Sequence, residues 1–130
     1  AWTRRQVEDA LLLGHTFYGL LASHGEEPQG DEPAAGFFLS RHGFEEEELL
    51  LLAVDPAHRR KGLASRLLDR LFRDAQERGA QRLLLEMRRG NPAELLYRAH
   101  GFMPIGERLK YYRTPGGERL DAITFCRDFN

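Results

Sequence analysis

Apolar and polar positions along this chain follow two rhythms, one helical and one extended. Val7, Ala10, Leu11 and Leu12 recur at helical spacing within residues 3–13, and Gly14 follows as a stop. Thr16 to Ser23 is rich in aromatic and aliphatic residues and predicts a strand. Gly25 to Pro33 is acidic and carries Gly and Pro, so it predicts a loop. Ala34 to Arg41 predicts a second strand, His42-Gly43 a turn, and Glu46 to Val54 a third strand. Within that strand Leu49 to Val54 is continuously apolar, the pattern of a strand buried on both faces. Asp55-Pro56 ends it. Gly62 to Arg78 is the clearest helix, with Leu63, Leu67, Leu68, Leu71, Phe72 and Ala75 in one stripe and Gly79 just past the end. Asp69 and Arg73 are spaced to pair on its outer face. Gln81 to Met87 predicts a strand and Pro92 to His100 a short helix closed by Gly101. Phe102 to Tyr112 and Leu120 to Phe129 predict two strands joined by the turn Thr114-Pro115-Gly116-Gly117. One α/β domain with a mixed sheet follows, spanning 1–130.

Composition narrows the picture. A chain of 130 residues can bury one sizeable core, and 42% apolar with 30% charged residues is ordinary for a soluble globular protein. A formal charge of −1 gives the whole molecule no electrostatic pull toward nucleic acid, so any basic site must be local. Cys126 is the sole cysteine, which excludes an internal disulfide and fits a reducing cytoplasm. No apolar run nears the roughly 18 to 20 residues that span a bilayer, so no membrane association is expected. The five histidines, His15, His24, His42, His58 and His100, are scattered without metal-ligand spacing, so no metal is expected. Glu45 to Glu48 predicts a solvated acidic rim that could also attract a basic substrate tail. Cys126 predicts a buried strand residue.

The most informative segment runs from Val54 to Ala64. An apolar strand ends, Arg59, Arg60 and Lys61 follow, and Gly62 opens a long amphipathic helix. The first turn of a helix leaves N–H groups unpaired, and its dipole favours negative charge. Glycine lets a ligand approach the backbone. Together these features suit a phosphate or pyrophosphate. Charge and glycine alone are equally compatible with a solvated strand-to-helix turn. Neither a Walker loop nor a G-x-G-x-x-G fingerprint is present.

Arg59-x-x-Gly62-x-Ala64 resembles the Gln/Arg-x-x-Gly-x-Gly/Ala signature of the GNAT superfamily of N-acetyltransferases, between that family's fourth strand and third helix. Leu84-Leu85-Glu86-Met87-Arg88 resembles its fifth strand. Asn91-Pro92-Ala93, then Leu96-Tyr97 and Gly101-Phe102, resemble the segment after it. Lys110-Tyr111-Tyr112 and Asp121-Ala122-Ile123 resemble the C-terminus of the RimI-like branch, whose members acetylate the N-terminal amine of a small-subunit ribosomal protein. The likeness runs from Trp2 onward, and the family's first strand and helix are expected to be missing before Ala1. The loop from Asn91 to Tyr97 is one residue shorter than the family pattern.

This resemblance implies a mostly antiparallel central sheet with flanking helices, whose fourth and fifth strands splay apart. It implies acetyl-CoA as cofactor, its diphosphate on the N–H groups of Arg60, Lys61, Gly62, Leu63, Ala64 and Ser65, with Arg59 opening the motif. The pantetheine arm would pair with Leu52, Ala53 and Val54, the Val54 N–H would polarise the thioester, and Asn91 would also lie at the cofactor. Glu86 is the implied general base, acting through water, and Tyr97 the implied acid, since a phenol with a pKa of about 10 can protonate a leaving thiolate. The plainer readings are a strand carboxylate paired with Arg82 or Arg88 and a packed helix tyrosine. Tyr111 and Tyr112 would wall the acceptor groove. The expected acceptor is a protein N-terminus, ribosomal or otherwise, with a small amine or a lysine as alternatives. At pH 7 roughly a tenth of α-amines are neutral, against under about 0.1% of lysines. A monomer or weak dimer is expected. A catalytically silent coenzyme A-binding module, or a different nucleotide-binding α/β protein, would be the non-acetylating readings.

Overall fold

The computed structural model describes residues 16–59, 62–113 and 115–129, with backbone alone over 110–113. The helix expected over 3–13, the candidate anion ligands Arg60 and Lys61, and the side chains of Tyr111 and Tyr112 lie outside the described residues.

Six strands form one sheet: β1 (Thr16–Leu21), β2 (Gly36–His42), β3 (Glu46–Val54), β4 (Arg82–Arg88), β5 (Met103–Arg113) and β6 (Arg119–Asp128). Their spatial order is β1-β2-β3-β4-β6-β5, and every neighbouring pair is antiparallel except β3 with β4. Helix α1 (Leu63–Glu77) links those two parallel strands, and α2 (Glu94–Ala99) links β4 to β5. The expected mixed sheet and its segment order are found. β1 stops two residues short of the expected Ser23, because the Ala22 N–H turns to the Glu26 carbonyl (2.7 Å). α2 begins at Glu94, not Pro92.

One face of α1 supplies the core. Leu67, Leu68 and Leu71 are fully buried, and Phe72 nearly so, in one cluster with Phe38, Leu49, Leu83, Leu85 and Phe125 from the sheet. Each buried leucine contributes about 1.5–3 kcal/mol of transfer free energy. On the outer face, Arg70 makes the four-residue pair with Asp74 (3.5 Å), and Arg73 also reaches Asp74 (3.7 Å) in place of the expected Asp69.

The β3–β4 pairing shapes the molecule. The ladder covers only Glu46↔Arg82, Glu47↔Leu83 and Glu48↔Leu84. Beyond it the strands part. A β-bulge sits at that point: Leu39 pairs with Leu51 and Ser40 with Leu49, which leaves Leu50 unmatched. A bulge bends its strand and increases local twist, and here it coincides with the end of the ladder. The leucine run is therefore not buried on both faces as its composition suggested. Leu49 is buried, Leu50 is 40% exposed, and Leu51 to Val54 are half-buried along an edge that β4 does not cover.

A buried carboxylate holds the joined end of the two strands. Glu47 has no exposed surface, so it is not part of a solvated rim. Its carboxylate accepts hydrogen bonds from Ser40 Oγ (2.7 Å) and from Arg78 Nε and Nη2 (2.9 and 2.5 Å), and His42 Nδ1 lies 3.2 Å away. Arg78 ends α1 and stacks on Phe17 of β1. One ion pair thus ties β1, β2, β3 and α1 together where β3 and β4 meet.

Candidate functional site

The uncovered edge of β3 has a defined polarity. The Asp55 N–H donates to the Ala35 carbonyl at 2.7 Å. The pair Gly36↔Val54 is therefore a non-hydrogen-bonded pair of the antiparallel ladder. Val54 must direct its own N–H and C=O away from β2, toward the gap left by β4. Leu52, two residues earlier, shares that orientation. The gap is thus lined by apolar side chains and by backbone groups of β3 that the sheet does not use. An extended chain with amide groups could pair there as an added strand.

The strand leads into the turn that precedes α1. Asp55 Oδ1 accepts the Ala57 N–H (2.9 Å), and the His58 N–H donates to the Asp55 carbonyl (2.8 Å). These bonds fold Pro56–His58 into a single 3-10 turn and set Arg59 extended beyond it. Gly62 then adopts φ +76°, a left-handed conformation, as the N-cap of α1, and a Cβ there would meet open space within 4 Å. Glycine is needed at this position for its backbone angle. α1 has no side-chain cap and no acidic residue in its first turn. Among the described residues the N–H groups of Leu63, Ala64 and Ser65 have no side-chain cap, and they stand at the positive end of a 15-residue helix.

Two proton-carrying side chains belong to the strand and helix that follow. Glu86 stands on β4 beyond the last residue paired to β3, with its side chain 21% exposed. Its partner is neither Arg82 nor Arg88. Arg82 turns to Glu46 (3.3 Å) and Asp128 (3.7 Å), while Glu86 Oε2 meets Arg108 Nε of β5 at 3.4 Å. Tyr97 lies on α2, its ring edge-on to Phe102 with centroids 5.6 Å apart. Burial pushes its hydroxyl pKa above the ordinary tyrosine value. Asn91 uses its side-chain oxygen locally: Oδ1 accepts the Ala93 N–H (2.9 Å), and its carbonyl accepts the Glu94 N–H (3.1 Å). These bonds form the turn that precedes α2, the helix that carries Tyr97. Among the described residues no group of three or more His, Cys, Asp or Glu could hold a metal ion, and no helix is long and apolar enough to cross a membrane.

A sequence profile of the acetyltransferase (GNAT) domain matches residues 29–104, which include the open β3 edge, the Gly62 turn, Glu86 and Tyr97. The chain belongs to the GNAT acetyltransferase family. Among its relatives is a [ribosomal protein bS18]-alanine N-acetyltransferase of Haemophilus ducreyi, 42% identical over 61% of this chain and 55% of that protein. The chain thus spans about half the length of that relative. The crystal structure of the ribosomal-protein-S18-alanine N-acetyltransferase from Escherichia coli superposes with a TM-score of 0.77 at 28% identity, covering 99% of this chain and 78% of that one. A Bacillus subtilis acetyltransferase crystallised with CoA shares the fold at 18% identity, with a TM-score of 0.73 over 98% of this chain and 85% of that one.

Within this GNAT fold, Arg108 and the Glu47 cluster are the features that sequence patterns did not single out. Arg108 sits beside the Lys110-Tyr111-Tyr112 block, but its proximity to Glu86 depends on β6 lying between β4 and β5. Nothing in the linear order of residues signals that arrangement. Glu47 looked like one of four acidic neighbours, and only the ladder alternation turns it inward.

Proposed function

We propose that this chain transfers an acetyl group from acetyl-CoA to the N-terminal α-amine of a protein, with an alanine-initiated ribosomal protein as the acceptor. The observation that carries this reading is one continuous feature. β4 leaves the apolar edge of β3 open, and that strand is followed by the N-terminus of α1, which has no side-chain cap among the described residues. An amide-bearing arm that ends in a pyrophosphate matches both halves. When bound, acetyl-CoA supplies an acetyl thioester activated toward nucleophilic nitrogen.

The roles follow from the chemistry of each group. The N–H groups of Leu63, Ala64 and Ser65, with Gly62 and the cations Arg59, Arg60 and Lys61, hold the pyrophosphate. Leu52, Ala53 and Val54 hold the pantetheine arm, and the outward Val54 N–H stabilises the negative charge that develops on the thioester oxygen. Glu86 accepts the proton released by the attacking amine, through a water molecule. Tyr97 donates a proton to the departing sulfur. Tyr111 and Tyr112 contact the first residues of the acceptor, and Asn91 sets the start of α2. The resemblance to bS18-alanine N-acetyltransferases supports a protein N-terminus over a polyamine or an internal lysine.

Mass spectrometry on peptides incubated with acetyl-CoA tests the proposal. A peptide that begins with alanine gains one acetyl group at its α-amine, and Glu86→Gln lowers kcat by about 10²- to 10⁴-fold. Acetylation confined to polyamines or internal lysines would overturn the acceptor assignment. Tight coenzyme A binding with no transfer to any amine would make the protein a silent binding module.

A further inference from the structure

β4 is stapled to β5 across β6 by two ion pairs on opposite faces of the sheet. On one face, Arg108 Nε meets Glu86 Oε2 at 3.4 Å. On the other, Arg89, which follows β4, donates to Glu107 of β5 and to Asp121 of β6 (3.2 Å). Its N–H also binds the Asp121 carbonyl (2.8 Å). The register explains why Arg108 can reach. Glu86 pairs with Thr124, which pairs with Gly106. Directly paired residues share a face, and no side chain at Gly106 stands in the way. Two residues on, Arg108 lies opposite Ala122, a small and fully buried residue. A long side chain at 108 can therefore lean back over β6 to the carboxylate on β4.

We infer that Arg108 is a positioning residue for Glu86, an inference that rests on the proposed acetyl transfer. Its guanidinium lies beside one carboxylate oxygen and biases the orientation of the group, which leaves the other oxygen to accept the proton released by the amine. The same strand continues from Arg108 to Tyr111 and Tyr112, the residues proposed to contact the acceptor. Seating of the acceptor on this strand is thereby coupled to the aim of the base.

A double-mutant cycle with steady-state kinetics tests the inference. Arg108→Ala is expected to lower kcat about tenfold while the KM for acetyl-CoA stays within about twofold, and Arg108→Lys is expected to recover part of the loss. In a Glu86→Gln background, Arg108→Ala is expected to have no further effect. The inference is overturned if Arg108→Ala leaves kcat unchanged, or if it costs the same factor with and without Glu86. The carboxyl ¹³C resonance of Glu86 supplies a reading independent of turnover. It moves in Arg108→Ala when the pair exists in solution, and an unmoved resonance refutes the contact. A wild-type protein that binds coenzyme A but acetylates nothing would refute the proposed function, and the positioning role with it, while the resonance still reported on the ion pair.

Discussion

Tyr97 joins core packing to the role of proton donor proposed for it. Its ring packs edge-on against Phe102 in the core, while burial holds its hydroxyl proton more tightly than in water. The sign favours an acid. A pKa raised above 10 keeps the phenol protonated from about pH 8, where an α-amine becomes mostly neutral, to about pH 10, so Tyr97 causes no alkaline loss of rate in that window. Tyr97→Phe keeps the ring contact and removes only the donor. It is expected to lower kcat about 10- to 100-fold with little change in melting temperature, as read by peptide acetylation alongside thermal denaturation. A fall in melting temperature with unchanged kcat would make Tyr97 a packing residue only. Glu86 and Tyr97 were singled out only through the family resemblance, because a strand carboxylate and a helix tyrosine taken alone read as an ion-pair partner and a packing residue. Arg108 was not, since an ion pair that crosses an intervening strand leaves no periodic trace.

Among the elements, β3 does the most to shape the site, and its sequence was read half correctly. Its limits, Glu46 to Val54, follow directly from the apolar run and the Asp55-Pro56 break. Its exposure does not, because six consecutive apolar residues look the same whether a neighbouring strand or a ligand covers them. The bulge at Leu50 separates the two cases, and bulges depend on cross-strand register. Of the four acidic residues before the run, Glu47 was misread for a similar reason: charge runs are usually solvated, yet alternation turns this one into the core beside Arg78. Burial opposes ionisation of Glu47, but hydrogen bonds from Arg78 and Ser40 outweigh it and lower its pKa below the ordinary glutamate value of 4.5. A lowered folded-state pKa contributes stability that is complete above the unfolded value and is lost as pH falls through the folded one. Denaturant unfolding should therefore show a loss of stability below about pH 4.5 that is much smaller in Glu47→Gln. At neutral pH that variant is expected to be destabilised by about 3–5 kcal/mol, since Arg78 keeps its charge without a partner. Equal stability of the two proteins at pH 7 would show that the cluster is not the clamp described here.

At the scale of the whole molecule, the strand order β1-β2-β3-β4-β6-β5 with a single parallel junction creates one seam in an otherwise antiparallel sheet. The Glu47 clamp closes the seam at one end, and the β3 bulge opens it at the other. α1 runs between the two ends, with Arg78 at the closed end and its first turn, which has no side-chain cap, at the open one. The order of elements was readable from alternating periods, and the splay was expected only through the family likeness. The register shows where it begins: the ladder ends after three pairs, and the unmatched Leu50 follows. The central claim is that this seam and the first turn of α1 together receive acetyl-CoA. Backbone amide chemical shifts recorded during titration with coenzyme A test it most directly. The account predicts the largest movements at Leu52 to Val54 and Gly62 to Ser65, and much smaller ones on β1 and along the rest of α1. Shifts that avoid those two segments, or a spectrum unchanged by excess coenzyme A, would contradict it.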